Sequence, residues 1–355
     1  MNERPLDVKD HSLPRLREAF AQRALAPFRA DQLAGWIYGQ GVEDPERMTN
    51  LPAELRARLG HDLLLRALEL ESLERSADGT RKGVLRARDG ARVEAVLIPE
   101  EARTTLCVST QVGCPLACSF CATGALGFTR NLTVAEIVDQ VCRMRAELEP
   151  GRVLSNVVFM GMGEPLLNLP AVLEAIRILV DPKGLGFAPR RVTVSTAGVV
   201  PRIAELVRAA PVNLAVSLHA TTDAVRDVLV PLNRRFPLRV LLGALAALPE
   251  LSRRRPVFFE YTLMAGVNDA EEDAERLVAL LAGIPSKVNL IPMNPHPDAP
   301  YLPPAPEVAD RFLGVLSRAR LTATLRRARG SDIAAACGQL ALRETRAAVD
   351  ALRDR

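Results

Sequence analysis

The chain has 355 residues, of which 48% are hydrophobic and 25% charged, with a formal net charge of +4 from 46 basic and 42 acidic side chains. That length suits roughly two domains of about 150 residues, or one barrel-sized domain with an extension. No apolar run approaches the roughly 18 residues of a membrane span, and the start, MNERPLDVKDHSLPRLREAF, has no signal-peptide core, so a cytoplasmic protein without membrane contact is expected.

Three amphipathic stretches open the chain, LPRLREAFAQRAL (13–25), RADQLAGWIYGQG (29–41) and PAELRARLGHDLLLRALELES (52–72), and their spacing predicts a small helical module. Alternating apolar and polar residues follow over 76–100, around two Asp-Gly turns at Asp78-Gly79 and Asp89-Gly90, which predicts β-hairpins. From residue 104 the class changes. Short apolar runs at 104–111, 156–162, 191–197, 212–219, 256–264 and 287–294 alternate with helical patterns such as TVAEIVDQVCRMRAEL and LPAVLEAIRILV. Six β-α units predict a parallel sheet, closed or partly closed into a barrel. One more strand, LTATLRR, leads into ARGSDIAAACGQLA near the C-terminus. The expected division is a helical module over 1–75, a connecting hairpin segment over 76–103, an α/β core over 104–342 and a tail over 343–355.

Six cysteines without a secretion signal point to metal or redox chemistry rather than a disulfide framework. Three of them, Cys114, Cys118 and Cys121, form a C-x3-C-x2-C set in GCPLACSFCATG, directly after the first strand. Common closed sites take four protein ligands, so a local set of three leaves one position to a distant residue or to something that is not protein. Parallel β-α folds bind ligands at the carboxyl ends of their strands. Those ends carry Gly163 and Glu164 in GMGEP, Ser195 in STAG, Ser217 and His219 in SLHATT, and Asn294. Singly, each reads as turn chemistry or a structural hydrogen bond. Together they suit a [4Fe-4S] cluster on three thiolates, its open iron chelated by the amino and carboxylate groups of S-adenosylmethionine (SAM). Zinc, or a cluster closed by a remote cysteine, is the competing reading. Only four of the cations are lysine; arginine suits phosphate contacts and base stacking, although a coding bias that also raises alanine is the simpler account.

Long ordered motifs, TLCVSTQVGCPLACSFCATGALGFTRNLTVAEIVDQV, VVFMGMGEPLLN, VSLHATTDAVRDVLVPLNRRFPL, EYTLMAGVND and DIAAACGQL, resemble the RlmN/Cfr family of radical SAM RNA adenine methyltransferases over residues 26–342. The resemblance implies a partial (β/α)6 radical SAM barrel with a [4Fe-4S] cluster and two SAM per turnover. It implies that Cys114, Cys118 and Cys121 bind the cluster, and that Gly163, Glu164, Ser195, Ser217, Leu218, His219 and Asn294 line the SAM site. It further implies that Cys337 receives a methyl group and becomes joined to RNA, that Cys107 releases that adduct by forming a disulfide, and that Glu94 stands where the family has a proposed proton acceptor. One position departs: the family commonly carries aspartate where Ala334 stands.

The chemistry accounts for two extra thiols. Carbon 2 of adenine is electron-poor, so transfer of an electrophilic methyl is unpromising and addition of a carbon radical on a methylated cysteine is the workable route. A second thiol must then attack the sulfur to free the product. On its own, Cys107 in an apolar strand reads as packing, Cys142 likewise, and Glu94 as a solvated strand face. The substrate base has to be unstacked, so a loop or bulge in folded RNA is expected, gripped by the N-terminal helices. Resemblance of that module to the carbon-2 branch implies an adenosine in large-subunit (23S) ribosomal RNA, with transfer RNA as a further substrate, a flavodoxin or ferredoxin as electron donor and a monomeric enzyme. The alternatives are carbon-8 methylation, a non-catalytic iron-sulfur RNA-binding protein, and a radical SAM enzyme acting on a small molecule or protein.

Overall fold

The structure is a computed structural model that describes residues 5–297 and 299–342; the 343–355 tail expected from the sequence lies outside the described residues. Strand β1 (Leu6–Asp7), helices α1 (Leu13–Gln22), α2 (Phe28–Ala34) and α3 (Ala53–Arg58) and strand β2 (Leu63–Leu64) form the N-terminal module, with β1 pairing β2 in parallel. It docks on the rest through a buried lysine. Lys9 Nζ meets Glu43 and Asp139 at 2.5 Å each, and the other Asp139 oxygen accepts the Ala67 and Leu68 N–H groups at 2.8 Å.

The helix expected over 52–72 stops at Arg58, which corrects the sequence reading. Gly60 takes φ +89, the chain turns, and β3 (Leu68–Arg75) follows. The apolar spacing in LLLRALELES fits a helix or a strand, and neighbouring strands decide. Glu69 and Glu71 find Arg86 and Arg92 across the sheet at 2.5 and 2.6 Å, cross-strand pairs that a helix could not make. Strands β4 (Arg81–Ala87) and β5 (Arg92–Pro99) complete the predicted hairpins, turning at Gly79 and Gly90 with φ +86 and +85.

Strand β6 (Thr104–Cys107) then opens the barrel. A short ribbon of β7 (Gln111–Gly113) and β8 (Phe128–Asn131), with α4 (Ala122–Ala125) between them, closes the cysteine loop, and Cys114 N–H donates to Gly127 O at 2.7 Å. Beyond it come α5 (Val134–Ala146), β9 (Leu154–Phe159), α6 (Leu169–Val180), β10 (Val192–Thr196), α7 (Val200–Ala209), β11 (Asn213–Ser217), α8 (Asp223–Leu229) and α9 (Leu238–Ala246). The series ends with β12 (Val257–Leu263), α10 (Glu271–Leu280), β13 (Ser286–Pro292), α11 (Pro306–Arg318) and β14 (Ala323–Leu325). Thr133 and Glu136 start α5 with a reciprocal capping box.

One ten-stranded sheet runs β14-β13-β12-β11-β10-β9-β6-β5-β4-β3, parallel from β14 to β6 and antiparallel from there to β3. The parallel strands form a partial barrel, and the hairpins extend its sheet rather than standing apart from it. Val194, Val216, Phe259 and Leu290, from successive strands, are buried in its core. No described helix is long and apolar enough to cross a membrane.

Candidate active site

Two adjoining cavities open at the carboxyl ends of the strands. The first, about 160 Å³, is lined by Cys114, Cys118 and Cys121 together with Gly163, Glu164, Ser195, Ser217 and His219. The second, about 470 Å³, contains Cys107, Asn294, Arg326, Arg327 and Arg329. Cys337, Cys121, Met160 and Glu260 line both, so they mark the junction.

The three loop thiols converge on one wall. Burial pushes the Cys114 thiol up to about 12, and Cys118 lies well above its ordinary range because it is buried and because Cys121 and Cys114 are charged neighbours when ionised. On Cys114 and Cys118 the protons are therefore held until a metal takes their place. Among the described residues no three His, Cys, Asp or Glu side chains are gathered closely enough to hold a single metal ion. Three thiols facing a cavity fit a cluster that keeps one iron for another ligand.

Opposite the thiols, Gly163 sits at φ +99, where a Cβ would meet Gln111 Cβ at 2.6 Å, so no side chain fits. Gln111 in turn accepts the Glu164 N–H at 2.8 Å. The Glu164 carboxylate accepts the Leu166 and Ala197 N–H groups at 3.0 and 2.8 Å, bridging two strand ends, and burial raises it to about 7. A carboxylate has about four lone-pair sites, so it can still receive an ammonium. His219 takes φ +58, and its Nδ1 accepts the Thr262 N–H at 3.0 Å, which leaves Nε2 to carry the proton and donate. Burial, with Arg226 nearby, lowers its pKa to about 3, so the ring is neutral. Leu218 is fully buried and lines neither cavity; its N–H donates to Glu260 O at 3.0 Å and its carbonyl accepts from Arg226 Nε at 3.0 Å.

Cys337 is exposed to the cavities at the head of a loop over 330–342. Its carbonyl accepts from Asn294 Nδ2 at 3.2 Å, Gly338 O accepts the Ala122 N–H at 2.7 Å, and Thr123 Oγ1 donates to Leu340 O at 2.7 Å. The enclosed setting pushes its thiol up to about 11, with Glu260 adding and Arg326 opposing. Cys107, at the end of β6, is buried and raised further, and Cys337 contributes to that rise. Both thiols thus face one space, and all described cysteines are free. Glu94 is elsewhere: 1% exposed, lining neither cavity, with Lys82 Nζ at 3.2 Å and the Leu342 N–H at 3.3 Å.

Sequence reasoning missed three residues. Glu260, buried in β12 and raised by that burial, accepts from Asn289 Nδ2 at 2.8 Å; a carboxylate inside the apolar run PVFFEYTLM was a readable signal. Arg326 follows the last parallel strand, a position that could have been read. Arg226 bonds four groups, Leu218 O, Asn233 Oδ1, Ala197 O and Ser217 O, at 2.7 to 3.1 Å, and nothing local foretold it.

A barrel with a three-cysteine loop and a glycine-glutamate wall at its strand ends is a radical SAM enzyme, and residues 108–278 match the radical SAM superfamily. Residues 6–64 match the ribosomal RNA large subunit methyltransferase N-terminal domain. A dual-specificity RNA methyltransferase RlmN of Geotalea uraniireducens is 49% identical over 97% of this chain and 99% of its own length, and one of Anaeromyxobacter dehalogenans is 50% identical over 94% and 91%. A crystal structure of a radical SAM methyltransferase from Sphaerobacter thermophilus superposes with a TM-score of 0.91 at 46% identity, covering 95% of this chain and 99% of that one. The chain belongs to the RlmN family of SAM-dependent RNA methyltransferases.

Proposed function

We propose that this enzyme methylates carbon 2 of an adenosine in large-subunit ribosomal RNA and in transfer RNA, using Cys337 as the methyl carrier. The observation that carries the reading is the placement of Cys337 at the junction of two cavities, one bounded by the cluster thiols and the other by Cys107.

Cys114, Cys118 and Cys121 hold the [4Fe-4S] cluster, and Gly163, Glu164, Ser195, Ser217, Leu218, His219 and Asn294 form the SAM site or its frame. When bound, the cluster and two SAM per turnover supply an electron, a methyl group and a hydrogen-abstracting radical. The protein supplies the positions. His219 offers a fixed N–H donor from a ring that stays neutral at physiological pH. Cys337 takes the methyl on sulfur and turns it toward the larger cavity, where Arg326, Arg327 and Arg329 can meet the phosphates of an unstacked nucleotide. After the carbon–carbon bond forms, the adduct radical would give up one electron, for which the oxidised cluster is the acceptor, and the adenine ring would lose its proton to a base. The resemblance assigns that base to Glu94, while Glu260 is the carboxylate that lines both cavities. Cys107 then attacks the Cys337 sulfur as a thiolate; the sulfur–carbon bond breaks, a Cys107–Cys337 disulfide forms, and the released carbon takes a proton to become the methyl of the product.

An electron donor of the flavodoxin or ferredoxin class, action as a monomer and a cytoplasmic location complete the proposal. Incubation of the reconstituted enzyme with methyl-labelled SAM should label the tryptic peptide spanning 330–343, and RNA digests should contain 2-methyladenosine. An unlabelled peptide despite SAM cleavage, or 8-methyladenosine alone, would refute it.

A further inference from the structure

The loop that carries Cys337 has little structure of its own. One short turn at Ser331–Ile333 is followed by a left-handed residue, Ala334 at φ +49, and Gly330 and Gly338 are left-handed as well. Asn294, Ala122 and Thr123 meet its middle, and its two ends are tied to the hairpins. Gly330 N–H donates to Asp78 Oδ2 at 3.0 Å, and Asp332 accepts from Ser76 Oγ at 2.6 Å and from the Ala77 N–H at 3.3 Å. Deeper in, Lys82 Nζ donates to Ile333 O at 2.8 Å, and the Leu342 N–H donates to Glu94 Oε2 at 3.3 Å.

Lys82 on β4 and Glu94 on β5 are each 1% exposed and lie 3.2 Å apart. The three protons of the ammonium meet three acceptors, Glu94, Glu74 at 3.0 Å and Ile333 O. A buried ion pair is weak evidence for stability, and its best-attested use is to enforce one geometry. Here each partner has a bond to spare for the loop, one ahead of Cys337 and one behind it. Both ends of the segment Ile333–Leu342 are therefore tied to a single buried point, while the sulfur between them reaches the cavity junction.

We infer that Lys82 and Glu94 are positioning residues that hold the Cys337 loop where its sulfur meets both cavities. The inference rests on Cys337 being the methyl carrier, and it gives Glu94 a role other than acceptor of the ring proton. The first transfer separates the two roles because it needs no RNA. A methyl passes from the SAM sulfonium to the Cys337 sulfur, S-adenosylhomocysteine leaves and the thiol proton goes to solvent.

The test compares Glu94→Ala, Glu94→Gln and Lys82→Met in full-length, cluster-reconstituted enzyme. Three quantities are read: methyl incorporation at Cys337 without RNA, the rate at which iodoacetamide alkylates Cys337, and the protein-RNA adduct that accumulates once RNA is added. Positioning predicts that Glu94→Ala and Lys82→Met lower methylation by about a hundredfold, the scale of an ångström of misplacement, and speed alkylation as the loop is released. Glu94→Gln keeps an acceptor oxygen for the Leu342 N–H and should recover most of the methylation. Full methylation in Glu94→Ala overturns the inference, as does full methylation in Glu94→Gln with stalled protein-RNA adduct, which would mark a proton acceptor. Should the buried variants fail to fold, Asp332→Ala removes only the exposed anchor and must still speed alkylation, or the loop is not held from the hairpins. If the native enzyme takes no methyl, the carrier reading fails, and the alkylation contrast alone decides whether the loop is anchored.

Discussion

The two cavities are built differently. The one lined by the three loop cysteines is made mostly of residues in the last turns of successive parallel strands or just past them, so each is delivered by its own β-α unit and the set assembles whenever the barrel forms. The larger one is composite. It joins the end of β6, the end of β14 and a C-terminal loop that is fastened to the hairpins by contacts between residues some 250 positions apart in the chain. One site is thus a product of fold topology and the other of a few long-range polar bonds, which predicts that the second can be lost while the first survives.

The largest effects should come from removing shared parts. Cys118→Ser should abolish cluster iron, SAM cleavage and RNA methylation together, and retention of iron with normal cleavage would break the assignment of the first cavity. Cys337→Ala and Cys107→Ala should separate the two. Both should retain iron and SAM binding, but Cys337→Ala should take up no methyl, whereas Cys107→Ala should carry the methyl and accumulate protein joined to RNA, visible as a shifted band on a denaturing gel.

Next in size is the brace of the first cavity. Arg226→Met leaves the carbonyls of Ala197, Ser217 and Leu218 without their donor and should cost about 3 kcal/mol or more of stability, read as a lowered denaturation midpoint. Alkylation of Cys337 should change little, because its loop hangs from the opposite side.

Acidity distinguishes the cavities as well. With the Cys337 thiol at about 11, its reactive thiolate grows by about tenfold per pH unit from pH 7 to 10, and the rate of methyl uptake should climb with it. His219, at about 3, stays neutral throughout, whereas Glu164, at about 7, gains its charge around neutral pH, so SAM affinity should rise from pH 6 to 8 as that carboxylate ionises. Smallest is the backbone of the loop. Ala334 at φ +49 should gain about 1 kcal/mol on replacement by Gly, and Ala334→Asp should gain part of that, since short polar residues tolerate the left-handed region. Thermal midpoints of the three proteins check this.

Much of the first cavity was legible residue by residue. The cysteine spacing, GMGEP, STAG and SLHATT stand at strand ends, and local periodicity finds strand ends well. The second cavity was legible mainly through family resemblance: Asn294 stands after a strand and Cys337 lies in a small-residue loop after the last one, but Cys107 in TTLCVSTQ looks like packing and nothing local marks the role of either thiol. The missed Glu260 lay inside a strand rather than after it. The helix expected over 52–72 failed for a related reason: its pattern fits both periods, and the partner strand β4 chose between them.

What the sequence determined by itself is the order of β-α units, the cluster loop and the residues that each strand delivers to its carboxyl end, since these depend on neighbours within a few positions. Tertiary structure alone decided that the hairpins join the barrel sheet, that Arg226 ties two strand ends, and that Lys82 and Glu94 hold the Cys337 loop. Those features are hydrogen bonds and ion pairs between separate elements, and their strength comes from burial, which no local pattern of residues records.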